Sequence, residues 1–149
     1  MKAPVLVVRT VSVEKLAAVL DACRARWPDR PILVVTNPAR ATELRDDPRI
    51  HAVVPHDTTD DGFTRPIAYD HPLEAVVVPV ANRGGSGYAN VLRACRDLDA
   101  RSWFLASGAS TLTGLSRGRW AWKWRSELLL ERLVGSPARL WRRLLVRSS

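Results

Sequence analysis

Residues 74–93 decide the fold, and they read EAVVVPVANRGGSGYANVLR. Residues 75–80 are a short apolar run, which is typical of a buried strand. A loop with three glycines in four positions follows, and a helical pattern begins at Tyr88. An α/β sheet forms an anion site from a strand, a glycine loop and a helix in this order, because glycines and helix starts present unpaired N–H groups. The segment therefore predicts an α/β fold with a ligand site at the carboxyl edge of its sheet.

The glycine loop does not identify a ligand. It matches neither the dinucleotide fingerprint GxGxxG nor the phosphate-binding loop GxxxxGKS/T. A tight reversal between a strand and a helix also explains glycines at these positions. The sequence therefore predicts a binding site without a cofactor, and it predicts no metal ion.

The rest of the body alternates strands and helices. Apolar runs predict further strands at residues 5–8, 31–36, 51–55 and 102–106. Helical patterns begin after Ser12 and Asn37 and at Tyr88, where the last is expected to continue to Leu98. Because parallel neighbours need crossover connections, this alternation predicts a Rossmann-like three-layer sandwich with a five-stranded, mostly parallel sheet. We expect the first strand in the middle, the second and third on one side, and the fourth and fifth on the other.

In this arrangement the strand order reverses between the first and fourth strands. Ligands of open α/β sheets bind in the crevice at such a switch point, between the loops that leave the two strands. The predicted ligand-binding residues are Arg9, Thr10, Ser12, Asn82, Arg83, Gly84, Gly85, Ser86 and Gly87.

Charge divides the chain into two parts. The 149 residues are 46% hydrophobic and 26% charged, which is typical of a soluble globular protein. The net charge is +8, but residues 117–149 hold nine basic and two acidic residues, and four of the six tryptophans. Residues 1–116 carry a net charge of only +1. We therefore predict a Rossmann-like α/β domain at residues 1–116 and a basic, tryptophan-rich helical extension at residues 117–149.

The extension contains two helical patterns. The apolar face of the first is formed by Trp120, Trp124, Leu128, Leu129, Leu130 and Leu133. We expect this piece to pack on the sheet. The second begins at Pro137 and is basic and amphipathic, which suits an anionic membrane surface or a partner protein. Its predicted contact residues are Arg139, Leu140, Trp141, Arg142, Arg143, Leu144 and Leu145.

Targeting and thiol patterns favour the cytoplasm. No apolar run approaches the roughly 20 residues that span a bilayer, and the short apolar run at the start is no secretory signal. Cys23 and Cys95 both fall in helical patterns and are expected as half-buried free thiols. We expect a cytoplasmic protein, with peripheral attachment at the inner face of the membrane as the alternative.

An acidic turn follows the third predicted strand. It contains His56, Asp57, Asp60 and Asp61. Oxygen-rich clusters can hold Mg²⁺, but aspartates in a glycine-containing loop more often form turns, and this is the interpretation we adopt.

The order of elements resembles a known family. Residues 5–10, residues 25–35 and residues 39–57 together are similar to the N-terminal half of the heptosyltransferase-like glycosyltransferases. The resemblance covers residues 4–106. It implies two Rossmann-like lobes, of which the N-terminal lobe receives the acceptor and the C-terminal lobe holds the nucleotide sugar. It also implies a role in cell-envelope polysaccharide or glycolipid synthesis.

The chain departs from that family at two points. It stops where a second lobe is expected, which predicts a single acceptor-type lobe that would need a separate partner lobe for turnover. The family's loop after the first strand usually carries Gly-Asp with the aspartate as general base, and the matching positions here are Glu14 and Lys15. Lysine is protonated at neutral pH and cannot accept a proton, which leaves Glu14 as the weak catalytic candidate.

Three functions remain open from the sequence. The first is the glycosyltransferase-like lobe, which would bind a sugar or a phosphorylated ligand. The second is a non-catalytic scaffold or partner-binding domain, which could form a homodimer. The third, nucleic-acid binding through the extension, ranks last because the body is not basic and no recognised motif accompanies the arginines.

Overall fold

The computed structural model describes residues 2–57, 63, 65–81, 88–108 and 111–134. Its elements follow in the order β1 (Val5–Val8), α1 (Val13–Arg26), β2 (Ile32–Thr36), a 3₁₀ helix (Pro38–Leu44), β3 (Ala52–Pro55), β4 (Leu73–Val80), α2 (Ala89–Ala94), β5 (Ala100–Ser107), β6 (Thr111–Leu115) and α3 (Arg117–Val134). Two predicted regions lie outside the described residues. They are the glycine loop at residues 82–87 and the second helix of the extension, with Arg139, Leu140, Trp141, Arg142, Arg143, Leu144 and Leu145.

The strands form one sheet in the order β3-β2-β1-β4-β5-β6. The first five are parallel, and β1 is paired with β2 through Val5 and Ile32 and with β4 through Val5 and Ala75. The predicted Rossmann-like α/β fold and the predicted order of the first five strands are therefore confirmed. Because these strands are parallel, their last residues all lie at one edge of the sheet, which we call the carboxyl edge.

The sheet has six strands, not the five predicted. The additional strand, β6, pairs antiparallel with β5, so that Ser107 lies opposite Thr111. Gly108 begins the connection between them with a φ of 61°, a left-handed conformation that glycine adopts without strain. The strands β5 and β6 thus form a β-hairpin.

The helix α2 is shorter than the pattern predicted. It ends at Ala94 instead of Leu98, and residues 95–97 form a turn in which the Arg96 N–H donates to Arg93 O at 3.1 Å. Cys95 and Leu98 nevertheless remain buried, at 0% and 1% exposed. The residues beyond the end of the helix therefore still contribute to the core.

Two apolar layers cover the two faces of the sheet. Alternate residues of each strand point to opposite faces, so Leu6 and Val8 belong to one layer, and Val5 and Val7 to the other. The first layer is closed by α2, by Trp120 of α3, and by Phe63 and Ile67 from the connection between β3 and β4. The second is closed by α1 and by Leu44 of the 3₁₀ helix. This is the predicted three-layer sandwich.

The helix α3 is anchored to the first layer by one residue above all. Trp120 is 2% exposed, and its indole Nε1–H donates to Leu92 O of α2 at 3.1 Å. Its ring centroid lies 4.8 Å from that of Trp103 in β5. The leucines at positions 129, 130 and 133 do not widen this buried face as predicted, because they are 58%, 59% and 74% exposed. No described helix is both long enough and apolar enough to cross a bilayer.

Candidate functional site

The crevice at the switch point opens between β1 and β4. These neighbouring strands are followed by helices on opposite faces of the sheet, since α1 packs in one apolar layer and α2 in the other. The two connections therefore diverge at the carboxyl edge and leave space between them. The hydroxyl of Thr10, which follows β1, donates to the carbonyl of Pro79 in β4 and links the two strands at this point.

Arg9 follows β1 directly, and its charged side chain turns toward the 3₁₀ helix that follows β2. Its backbone N–H continues the sheet by donating to Val35 O at 2.9 Å, and its side chain is only 5% exposed. Nη2 donates to Glu43 Oε2 at 3.0 Å, and Nε donates to Val11 O at 3.4 Å. Nη1 is buried and finds no acceptor among the described residues. A buried guanidinium with an open donor has paid part of its desolvation cost, so it favours an anionic or polar acceptor from outside.

The start of α1 lies next to Arg9 in the chain. Ser12 is exposed and has the extended backbone of an N-cap, yet its hydroxyl does not bond a backbone N–H of the helix. The pKa of Glu14 is held below its ordinary value, first by a hydrogen bond from its own backbone N–H, then by one from Ser12, with the charge of Arg9 contributing less. The first turn of the helix thus stabilises a carboxylate that belongs to the protein, as expected of a helix N-terminus.

These contacts set what Glu14 can do chemically. Its carboxylate is exposed and ionised at neutral pH, but a lowered pKa makes it a weaker proton acceptor than an ordinary glutamate. Lys15 beside it is exposed as well. The described part of the crevice therefore offers charge and hydrogen bonds for binding, and Glu14 as the acid–base group that the sequence singled out.

The ends of the glycine loop are held at the same edge. The described residues do not include the loop itself, which consists of Asn82, Arg83, Gly84, Gly85, Ser86 and Gly87. The residues on either side of it are described, and the N–H of Ala81 donates to the Tyr88 hydroxyl oxygen at 3.0 Å. Tyr88 also packs against the first apolar layer. The two described ends of the connection from β4 to α2 therefore lie close together at the carboxyl edge.

A cavity of about 430 Å³ lies at the end of β3, along the same carboxyl edge. It is lined by Pro38, Val54, Pro55, His56, Asp57, Arg65, Pro66, Ile67 and Ala68. The His56 ring stacks on Phe63 with centroids 5.3 Å apart, and its Nε2 is buried without a hydrogen-bond partner among the described residues. The cavity thus has apolar walls with three polar groups, the usual composition of a small-molecule pocket.

Two parts of this edge carry no local signal in the sequence. Glu43, the partner of Arg9, comes from the 3₁₀ helix 34 residues later, and no local pattern connects the two. Arg65 and Ile67 belong to the connection between β3 and β4, where the absence of a helical period gave no signal. Asp57 lines the cavity, while Asp60 and Asp61 lie outside the described residues.

Comparisons with family models, with curated proteins and with solved structures found no match to this chain. The function is therefore inferred from the carboxyl edge itself and from the residues that line it.

Proposed function

We propose that the domain binds a sugar phosphate or a similar phosphorylated sugar in the crevice between β1 and β4. In this proposal it is a glycosyltransferase-like lobe of cell-envelope polysaccharide or glycolipid synthesis, and a second lobe supplies the nucleotide sugar. The resemblance of residues 4–106 supports the glycosyl-transfer part of the proposal. The open Nη1 of buried Arg9 at the switch point supports the phosphate-binding part, and it is the single observation that carries the proposal.

A phosphate enters by exchange with a carboxylate of the protein. Glu43 occupies Nη2 of Arg9, but its own side chain is 49% exposed. The half-exposed carboxylate of Glu43 can rotate into water, and the phosphate that replaces it keeps the buried guanidinium of Arg9 paired. A phosphate can accept from both Nη1 and Nη2 of the guanidinium, a bidentate geometry that fits planar arginine. Ligand binding should therefore release Glu43 from Arg9.

The cavity at the end of β3 gives the sugar or its substituent a place along the same edge as the phosphate. The parallel order β3-β2-β1 puts His56 two strands from Arg9 along the same edge, which corresponds to about 10 Å at the usual strand spacing. The apolar walls of the cavity suit the carbon faces of a sugar, while His56, Asp57 and Arg65 offer hydrogen bonds. A ligand that spans both features should bind more tightly than inorganic phosphate alone.

The proposal is tested by calorimetric titration of the full chain with glucose 1-phosphate, inorganic phosphate and unphosphorylated glucose. We expect affinity in that order, and a loss of at least about tenfold for both phosphates in Arg9→Gln. Arg101→Gln is the matched control, because Arg101 is 78% exposed at the start of β5, at the opposite edge of the sheet. Equal affinity of Arg9→Gln and the wild type, with both folded by circular dichroism, would contradict the proposal. Equal affinity for glucose and for glucose 1-phosphate would also contradict it.

A further inference from the structure

The helix α3 has two apolar faces, and only one of them is used by the fold. Its inner face carries Trp120, which is buried against α2 and β5, and Trp124, which packs partly buried on the same layer. The outer face carries Trp122, Leu129 and Leu133, which are 73%, 58% and 74% exposed. Spacings of seven and four residues place these three side chains in one line along the helix. We call Trp122, Leu129 and Leu133 the outer stripe.

Leu129 and Leu133 are one helical turn apart, and Trp122 stands two turns before Leu129 with Arg125 and Ser126 between them. Single exposed apolar residues are the normal case, but this face carries several. Leu130, which is 59% exposed, adds to its width. Three large exposed leucines and a tryptophan on one helix face form the kind of patch that marks an interaction surface. Since α3 is already anchored by Trp120, the stripe is not needed to hold the helix on the sheet.

Positive charge surrounds the outer stripe. Neighbours on a helix surface are three or four residues apart. Trp122 has Arg119 and Arg125 at these distances, and Leu129 has Arg125 and Arg132. All three arginines are exposed, and no carboxylate stands three or four residues from Trp122 or Leu129. Glu127 is partly buried and stands seven residues after Trp120, on the inner face. Around Trp122 and Leu129 the outer face of the helix therefore combines large apolar side chains with arginines, whereas Leu130 also has Glu127 three residues before it.

We propose that the outer stripe and its arginines dock the protein on an anionic membrane surface, with α3 lying in the plane of the interface. Tryptophan and leucine enter the boundary between headgroups and acyl chains, while arginines contact lipid phosphates, which is how basic amphipathic helices bind membranes. The helix does not meet the requirements for crossing a bilayer. The proposal does not depend on the sugar site.

Charge favours this occupant over a second copy of the chain. In a twofold dimer through the outer stripe, Arg119, Arg125 and Arg132 of one copy would face the same residues of the other without carboxylates between them. Like charges opposite each other destabilise such an interface. The sequence after α3 adds four arginines and no acidic residue, which increases the attraction to an anionic surface.

The test measures co-sedimentation of the full chain with vesicles of phosphatidylcholine alone and of phosphatidylcholine with 30% phosphatidylglycerol. We expect binding to the anionic vesicles only. Leu129→Ser/Leu133→Ser should reduce it at least about tenfold, because two leucines no longer enter the interface. Arg119→Gln/Arg125→Gln/Arg132→Gln should reduce it by at least about as much. The matched controls, Val13→Ser and Arg40→Gln/Arg45→Gln/Arg101→Gln, change exposed residues elsewhere and should bind like the wild type.

A fluorescent probe locates the contact. A polarity-sensitive dye on Leu130→Cys should brighten when anionic vesicles are added, while the same dye on Arg40→Cys should not. Unchanged vesicle binding of Leu129→Ser/Leu133→Ser, or a silent dye at position 130, would overturn the proposal. Absence of wild-type binding to anionic vesicles would also overturn it. So would dimerisation through the stripe in sedimentation without lipid, or binding to duplex DNA that anionic vesicles do not compete away.

Discussion

Nη2 of Arg9 lies 3.0 Å from Oε2 of Glu43, and the two side chains are 5% and 49% exposed. The buried cation at the end of β1 is thus paired with a half-solvated carboxylate from the 3₁₀ helix. Glu43 can turn into water because its side chain is half exposed, whereas the buried Arg9 needs another anion in its place. Exchange of Glu43 for a ligand anion therefore preserves the pairing of Arg9.

We predict that Glu43→Gln increases the affinity for inorganic phosphate. The neutral amide binds the Arg9 guanidinium less strongly than a carboxylate does. Phosphate therefore displaces the side chain at position 43 at a lower free-energy cost. A gain of about two- to fivefold is expected, equivalent to about 0.5–1 kcal/mol. Titration calorimetry at low salt measures it. Asp46→Asn is the control, because it removes one exposed negative charge nearby without touching Arg9; an equal gain there would mean that only net charge matters.

Two tryptophans of α3 should differ sharply in their effect on stability. Trp120→Ala removes a buried ring and the hydrogen bond to Leu92 O, and should lower the free energy of unfolding by about 3–5 kcal/mol. Trp122→Ala, two residues later, removes a side chain that is 73% exposed. It should change the free energy of unfolding by less than about 0.5 kcal/mol. Denaturant unfolding followed by circular dichroism measures both. Similar losses for the two variants would contradict the orientation of α3.

Acid should weaken a carboxylate–arginine contact at the amino edge of the sheet. Arg49 Nη2 lies 2.7 Å from Asp47 Oδ2, and Arg49 also donates to Asp21 and to Ala17 O. The hydrogen bond from Arg49 is the main cause that holds the pKa of Asp47 below its ordinary value of 3.8. A carboxylate with a lowered pKa in the folded state stabilises the fold above its unfolded pKa, and this contribution is lost as the pH falls through the folded pKa.

Asp47→Asn isolates that charge, because asparagine keeps an oxygen that can accept from the Arg49 backbone N–H. At neutral pH we expect the variant to be less stable by about 1 kcal/mol. The difference from the wild type should shrink as the pH falls below about 4. Urea unfolding at a series of pH values measures it, with Asp46→Asn as the exposed control. A difference that stays constant down to low pH would show that the charge of Asp47 is not responsible.

Both thiols should be inert in the folded protein. Cys23 and Cys95 are each 0% exposed. Burial raises the pKa of Cys23 to about 12, and it raises the pKa of Cys95 well above its ordinary value. The reactive thiolate is therefore scarce at pH 8. A chromogenic disulfide reagent should detect no thiol in the native protein within minutes and both after denaturation; rapid native labelling at either position would contradict the described packing.

The sheet was largely predictable, because β1, β2 and β4 are continuous apolar runs separated by helical patterns. β6 was not, since Thr111–Leu115 has neither an apolar run nor a strict alternation. Its residues are exposed or partly buried, so burial in the core does not demand apolar residues at regular positions. The only local signal is Gly108, whose left-handed backbone makes the hairpin.

The width of the buried face of α3 and the surroundings of Arg9 could not be predicted for a different reason. Trp120 and Trp124 face the sheet as predicted, but apolar residues occur on both sides of α3, so periodicity alone does not show that Leu129, Leu130 and Leu133 stay exposed. Arg9 was placed at the crevice by strand order, but its burial and its pairing with Glu43 depend on contacts between distant parts of the chain. The His56 cavity likewise forms between β3 and residues 65–68, which carry no pattern.

The most direct measurement for the sugar-phosphate site is a map of backbone amide shifts during titration with glucose 1-phosphate. We predict the largest shifts at Arg9, Thr10 and Ala81, smaller ones at His56, and none at the amino edge around Arg30 and Arg101. The shifts should saturate together and should be lost in Arg9→Gln. Saturable shifts confined to the amino edge, or no saturable shifts while the protein remains folded, would contradict a phosphate site between β1 and β4.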